Sequence, residues 1–515
     1  MKTHQLPVIP WGWAWGALAL AYPWSNAFMS VATGFLGLAA ILRAIRLAGA
    51  PRSGEAQRGL MWGGAALILL VAWSGFSCLW GGGFETCLND VRVKLPLVAG
   101  GLAMVVMARE AQVPDGRVAD TVLRLAVFSA ALATVAVVVL DLMDGGSTGG
   151  RQASRFISHI RFGLWWALLL PWVLHRLGPT WKGVGITGAV LAWTWTQGLT
   201  GILAGLVLLP WWWSGMGVFP AQRSRVQSWP APAEVRRRGA RLAMFGLPLV
   251  AAGILALPTA LPDGESLPER SAAGEAYIHK MDRSVTENGH HVWTVIAWGE
   301  LTTTWQQRSE VPVDSIQGAL VRFLASKGAP KDREGVLGLS SAEVAAIASG
   351  VPSVVELTGN GWNKRWNRFK YNWGDWWDGR KTPDASILSR TVYFQAGVAA
   401  VKKAPIQTWL MGVGTGAFEV QLANAYDREF PDWPLNSRKR PHNQYLTLFL
   451  SLGLVGVLLF LVALGSMWSC HPARPALLLL ALSCFTEDTL ETQAGVTLAI
   501  VAFAWGAFIP HRPAA

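Results

Sequence analysis

Apolar runs recur almost from end to end of the 515-residue chain and are broken mainly by short charged loops. Many approach the roughly 20 residues needed to cross a bilayer, so the chain reads as an all-α polytopic membrane protein, not the several soluble domains its length alone would suggest. The composition agrees: 52% of residues are hydrophobic and 15% charged, against about 25% charged in soluble domains. The mean hydropathy is +0.32. A purely soluble enzyme is excluded. There are 29 Trp but only 6 Tyr, and much of the Trp stands at the ends of apolar runs, where the water–lipid boundary suits an indole. The net charge is +12, yet its densest cluster, Arg236, Arg237, Arg238 and Arg241, lies directly before an apolar run. That makes it a topology signal, not a nucleic-acid patch.

About twelve spans are expected, at residues 11–25, 27–42, 59–79, 95–108, 121–142, 162–177, 183–197, 200–216, 242–261, 444–467, 476–485 and 495–509. Lys and Arg should collect in alternate short loops if these spans are real. They do: Arg43, Arg46, Arg52 and Arg58 fall in the second loop and Arg109, Arg117 and Arg124 in or beside the fourth. Arg176 and Lys182 fall in the sixth, and Arg223, Arg225 and the 236–241 cluster in the eighth. Both termini are then cytoplasmic, and the first span is retained. Arg151, Arg155 and Arg161 break the pattern, because they fall in the fifth loop, which the same count puts outside. Arginines held against the rule are candidates for function.

Three regions follow: helices 1–9 in residues 1–261, a large, mainly helical extracytoplasmic insert in 262–441, and helices 10–12 in 442–515. The insert is too long to be a simple connector. Residues 315–326 and 341–348 have a helix-like pattern, with Ser341-Ala-Glu resembling a helix start. Its second half interleaves Trp362, Trp366, Phe369, Tyr371, Trp373, Trp376 and Trp377 with Lys364, Arg365, Arg368 and Lys370. Such a run suits stacking on sugars and steering of an anionic acceptor, and equally a belt at the membrane surface.

Cys78 and Cys87 lie near the outer end of the third span; they would form a disulfide on an oxidising face, or remain two buried thiols. Cys470 and Cys484 look like packing residues. With no CxxC pair, HExxH or clustered Cys/His set, no metal site is expected.

The most informative stretch is Arg438-Lys-Arg-Pro441-His442-Asn443-Gln444-Tyr445, followed by an apolar run with Gly453 and Gly456. Pro441 suits the first position of a helix, which would set His442 at its mouth, near the positive end of the dipole. At 100° per residue, His442 and Gly453 share one stripe, with Gly456 about 40° away. A polar head would then stand over a smooth groove. A helix mouth favours phosphate, so His442 suits a general base working beside a phosphate-bearing lipid. The glycines alone read equally well as close helix packing.

The spacing His442-Asn443, Gly453, Gly456 resembles the signature of the O-antigen ligase and polymerase family of membrane glycosyltransferases. Upstream, Ser389-Arg390-Thr-Val-Tyr-Phe-Gln-Ala and Met411-Gly412-Val-Gly414-Thr-Gly416-Ala-Phe418 are similar to the family's Arg segment and Gly-rich segment. Downstream, Thr486-Glu487-Asp488-Thr-Leu-Glu491-Thr-Gln493-Ala-Gly495 resembles the closing segment of a ligase subgroup. The resemblance implies a GT-C-like fold and transfer of a glycan from an undecaprenyl diphosphate donor to an acceptor hydroxyl, at the outer face of the bacterial inner membrane and without a metal, other cofactor or nucleotide sugar. The acceptor it implies first is lipid A–core; a polymerase extending lipid-linked repeats, or an oligosaccharyltransferase acting on protein hydroxyls, shares the same motifs.

In that reaction His442 would take the acceptor proton, while Arg390 with Arg155 or Arg161 would bind the diphosphate. Arginine's planar fork grips phosphate oxygens in pairs. Gly412, Gly414 and Gly416 would form a tight turn or approach phosphate, with Asn443, Gly453, Gly456, Glu487 and Asp488 in support. The chain departs from many relatives at Thr196-Gln197-Gly198, where the family often has an arginine between the paired seventh and eighth helices. Either Arg155 or Arg161 supplies that charge, or the donor site is organised differently. A transporter would also fit twelve helices, but no convincing repeat relates the two halves, and the polar cluster sits at one membrane face, not the midplane.

Overall fold

The computed structural model describes residues 9–47, 55–110, 116–144, 154–213, 267–383, 388–468 and 473–508. The expected span at 242–261, the basic residues at 223–241, Arg52, Arg151 and Cys470 lie outside the described residues. Contacts divide the chain into two compact units, Met1–Val250 with Tyr393–Ala515, and Ala251–Val392. The Gly-rich and His segments therefore pack with the apolar helices, because the unit boundary falls at Val392 and not at 441.

The first unit opens with α1 (Trp11–Ala21), α2 (Asn26–Arg46), α3 (Glu55–Phe76), α4 (Phe84–Arg109), α5 (Gly116–Met143), α6 (His159–Arg176), α7 (Pro179–Trp195) and α8 (Leu199–Trp213). Helices α2, α4, α5, the stretch Arg58–Leu79 and the later helix Gln444–Trp468 are long and apolar enough to cross a membrane. The shorter helices Arg474–Thr486 and Gln493–Phe508 are also apolar. The fourth helix begins at Phe84 and not at Leu95, since an apolar run ends at the first charges whereas a helix tolerates Asp90 and Lys94 as an i,i+4 pair.

Close backbone approach holds α3 to α4. A Cβ on Gly64 would meet the Gly101 carbonyl at 2.4 Å, and one on Gly101 would meet the Gly64 carbonyl at 2.6 Å, the small-residue contact that lets helices associate in lipid. Helix α6 is buried without interruption from Arg161 to Val173, as expected of a helix apolar all round. Its Trp165 stacks on Tyr22 at 4.2 Å, and Trp166 Nε1 donates to Thr134 Oγ1 at 3.2 Å. This central helix carries Arg161 into the protein interior.

In the second unit, a two-stranded hairpin of β1 (Thr286–Glu287) and β2 (His290–His291) turns at Asn288-Gly289, both with positive φ. Around it pack α9 (Trp298–Gln306), α10 (Val313–Ser326), α11 (Arg333–Leu337), α12 (Ser341–Ala348), α13 (Val354–Thr358) and α14 (Gly361–Trp377). The start anticipated near Ser341 is a capping box formed by Ser340 and Glu343. On α14 the buried face is Asn367, Tyr371, Gly374 and Asp375. The opposite face carries Trp366, Phe369, Trp373 and Trp376 stacked successively on one another at 5.6–5.7 Å. Trp366, at one end of the stack, stays half exposed.

The chain continues through α15 (Ser389–Lys403), α16 (Thr408–Met411) and α17 (Phe418–Glu429) to α18 (Gln444–Trp468), α19 (Arg474–Thr486) and α20 (Gln493–Phe508). Helix α18 is broken at Gly453, which has φ 67° and ψ −164°. The smooth stripe expected from His442 through Gly453 to Gly456 therefore does not exist, because it assumed unbroken periodicity. Breaking a helix in apolar surroundings frees carbonyls that must find other donors. The Leu450 carbonyl accepts from Val413 N at 2.9 Å and the Ser451 carbonyl from Gly414 N at 3.0 Å. The Leu452 carbonyl accepts from Trp73 Nε1 at 3.0 Å. Gly453 is needed twice over, for its positive φ and because a Cβ there would meet the Leu410 carbonyl at 2.3 Å.

Gly453→Ala is expected to cost at least about 2 kcal/mol of stability, whereas Gly465→Ala, in the same helix with open space around it, should be neutral or slightly stabilising. Thermal unfolding of the two purified variants checks this; equal melting temperatures would contradict the account of the break.

Candidate active site

His442 lies outside the helix it was expected to begin. Helix α18 starts at Gln444, and Asn443 precedes it as the cap, its Oδ1 accepting from Leu446 N at 3.0 Å and its Nδ2 donating to the Phe485 carbonyl at 3.1 Å. Pro441 is therefore three residues too early to be the first helical position. His442 itself has φ 51°, a left-handed conformation that a residue with a Cβ adopts at a cost. Its backbone N donates to Asp488 Oδ2 at 2.9 Å. Its ring stacks on Tyr393 at 5.4 Å, and its Nδ1 stands 3.2 Å from Glu487 Oε2. A carboxylate beside Nδ1 favours a donor there, and in the neutral imidazole with that tautomer the lone pair is on Nε2. The imidazole remains partly open, with 23% of its side chain exposed.

The turn Glu487–Glu491 between α19 and α20 gathers the other charges. Asp488 also accepts from Thr447 Oγ1 at 2.5 Å. Glu491 receives Lys94 at 2.7 Å, Arg440 at 2.6 Å and Gln444 Nε2 at 3.0 Å. Arg440 reaches Glu419 at 2.7 Å and Asp90 at 3.2 Å as well. Burial pushes the Glu491 carboxyl up, but Lys94 and Arg440 outweigh it and hold it at about 2. Asp488 ends on the other side, above the usual range, because there burial prevails; the hydrogen bond from Thr447 opposes it, and the neighbouring Glu491 charge reinforces it. For Arg440 burial favours loss of the proton, yet its three carboxylates more than compensate and raise its pKa.

The arginines separate. Arg161 is buried and donates to Ser483 Oγ at 3.1 Å and Thr489 Oγ1 at 3.2 Å, with the Asp488 carbonyl 3.5 Å away. It thus touches the same turn that holds His442. Arg155 pairs instead with Asp144 at the exposed end of α5, and nothing joins it to the turn among the described contacts. Arg390 lies on the first turn of α15, in the second unit. The step Thr196-Gln197-Gly198, which lacks the family's arginine, packs beside the start of α6: Gly201 approaches Gly163 closely, and Trp193 Nε1 donates to the Gly163 carbonyl at 3.0 Å.

The Gly-rich loop is a brace. Gly412 and Gly414 have φ 78° and 86°. The amides of Val413 and Gly414 are used on the broken α18, and the Thr415 amide donates to Ser77 Oγ at 3.1 Å. Backbone approach to phosphate by these three amides is thereby replaced by approach to α18 and to the end of α3. A Cβ on Gly416 would strike the Gly82 carbonyl, so that glycine lets the α3–α4 connection close on the loop. Cys78 and Cys87 are disulfide-bonded across this connection. Gly456 gives room to the Leu452 side chain beside the break. Lys94, Asp90, Arg440, Gln444 and Tyr393 were not singled out as site residues; Lys94, a charge leading into an apolar run, was the signal available.

Because the folded Glu491 carboxyl is depressed, its stabilisation is fully present above the ordinary value of 4.5 and is lost as pH falls towards about 2. Glu491→Gln should cost about 3 kcal/mol near neutrality, and its gap from wild type in thermal unfolding should narrow below pH 4.5. A gap independent of pH would contradict this.

Residues 318–461 match the sequence model of the O-antigen ligase family. No curated protein matches the chain. The matched stretch contains Arg390, the Gly-rich loop, His442, Gly453 and Gly456, while Arg161 and the Glu487–Glu491 turn lie outside it. This match agrees with the resemblance carried by the motifs; the O-antigen ligase family is associated with ligase- and polymerase-type glycosyltransferases.

Proposed function

We propose that the protein is a membrane glycosyltransferase that moves a glycan from an undecaprenyl diphosphate donor to an acceptor hydroxyl, first of all as an O-antigen ligase acting on lipid A–core. The observation that carries this reading is His442, fixed by Glu487 at Nδ1 and by Asp488 at its backbone, within the stretch matching the family. His442 Nε2 takes the acceptor O–H proton as that oxygen bonds to the anomeric carbon. The bond from that carbon to the diphosphate oxygen breaks, and undecaprenyl diphosphate leaves as an anion. Glu487 balances the imidazolium that forms.

Arg161 supplies the charge missing from the Thr196-Gln197-Gly198 step, a role supported by its place against the Asp488 turn. Arg390 is the second diphosphate ligand; its place in the Arg segment, within the stretch that matches the family, supports this. Arg155, held by Asp144, has no part in this assignment. The disulfide beside the Gly-rich loop supports placing this end of the protein on the oxidising, periplasmic side of the inner membrane.

In a host lacking the protein, the wild type should restore glycan-capped lipid A–core and His442→Ala should not, at equal membrane abundance. Bare core with polymer retained on the carrier identifies a ligase, whereas core capped by single repeats identifies a polymerase. Glu487→Gln should lower transfer by about 10²-fold or more and Arg390→Ala should weaken use of the donor, while EDTA should leave transfer intact. Full activity of both His442→Ala and Arg390→Ala would remove this site from consideration.

A further inference from the structure

Helix α4 presents two unlike faces at the level of its charged residues. Asp90 and Lys94 share one face and enter the ion web with Glu491 and Arg440. Arg92, about 160° from Lys94 at 100° per residue, points the other way together with Leu95, Pro96 and Ala99, into a separate cavity of about 560 Å³ shared with α2 and the first residue of α20. The web and this cavity therefore lie on opposite sides of one helix.

The cavity has a polar head and an apolar body. Its head is Arg92, Asn26, Ser30 and Gln493, and its body includes Ala27, Gly34, Pro96 and Ala99. Two of the head groups lack partners among the described residues: Gln493 Nε2 is buried without a hydrogen bond, and Arg92 is an exposed guanidinium with no described hydrogen bond or ion pair. The carboxylates nearest in sequence, Asp90 and Glu491, are already held by Lys94 and Arg440. A lone arginine on the flank of a membrane helix bundle calls for a counter-charge, and Arg92 with a free amide donor beside it matches a phosphate. The aliphatic and glycine surface below accepts a hydrocarbon chain.

We propose that this cavity binds a membrane lipid whose head carries phosphate, with Arg92 and Gln493 on the phosphate and the chain lying along Gly34, Pro96 and Ala99. The site is distinct from the His442 centre and stands whether or not the transfer reaction does. Two lipids supply the same chemistry, a bulk anionic phospholipid and a polyprenyl diphosphate, and one experiment separates them. Full-length protein in detergent is titrated with phosphatidylglycerol, with undecaprenyl diphosphate and with diacylglycerol, and native mass spectrometry counts the equivalents bound. Arg92→Gln should weaken one equivalent of one phosphate lipid by about tenfold, naming the source, while Arg92→Lys retains most of the affinity and diacylglycerol binding is unchanged. Unaltered binding of both phosphate lipids in Arg92→Gln, or an equal loss for diacylglycerol, would overturn the proposal.

Discussion

Three carboxylates within five residues, Glu487, Asp488 and Glu491, sit at the turn between α19 and α20, and none could be accommodated there without a partner brought from elsewhere in the chain. An unpaired buried carboxylate is costly enough to unfold its surroundings. Their partners come from distant segments: Lys94 from α4, Arg440 and His442 from the approach to α18, Gln444 and Thr447 from α18 itself. Arg161, on the central buried helix, holds the same turn through Ser483 and Thr489. Satisfying these charges therefore ties several helices together at one end of the bundle and sets the orientation of His442.

A second obligation is the break in α18. The carbonyls released at Gly453 are taken by Val413, Gly414 and Trp73, so the Gly-rich loop and the end of α3 are held by the same defect. Glycines that would ordinarily suggest flexibility here have the opposite effect, since each one lets two backbones meet. The disulfide between Cys78 and Cys87 closes the outer rim of that contact. A braced surround of this kind suits the proton-accepting role proposed for the half-open His442 imidazole.

The helices and the family resemblance are legible in the sequence, whereas the charge web and the helix break are not. Apolar runs located helices such as α2, α5 and α6 among the described residues, because length and hydropathy are local properties, and the His442–Gly456 spacing pointed to a family that the 318–461 match supports. The break at Gly453 was not legible, since a glycine within an apolar run looks the same whether it packs against a neighbour or interrupts the helix. Lys94 was missed because the apolar-run criterion stopped at Leu95 and placed it outside the helix. Arg155 and Arg161 were equivalent in sequence; only the course of α6, which starts between them, sends one inward to Asp488 and leaves the other on Asp144. The partnership of Glu487 with His442 joins residues 45 apart and needed the three-dimensional fold to appear.

The central claim is that His442 activates the acceptor for direct transfer from a lipid diphosphate. It is tested most directly with purified protein in liposomes, supplied with a labelled undecaprenyl-diphosphate-linked glycan and lipid A–core, by measuring label passing to the core. The account predicts transfer by the wild-type protein alone and background levels for a folded His442→Gln variant. Transfer by that variant at the wild-type rate would contradict it.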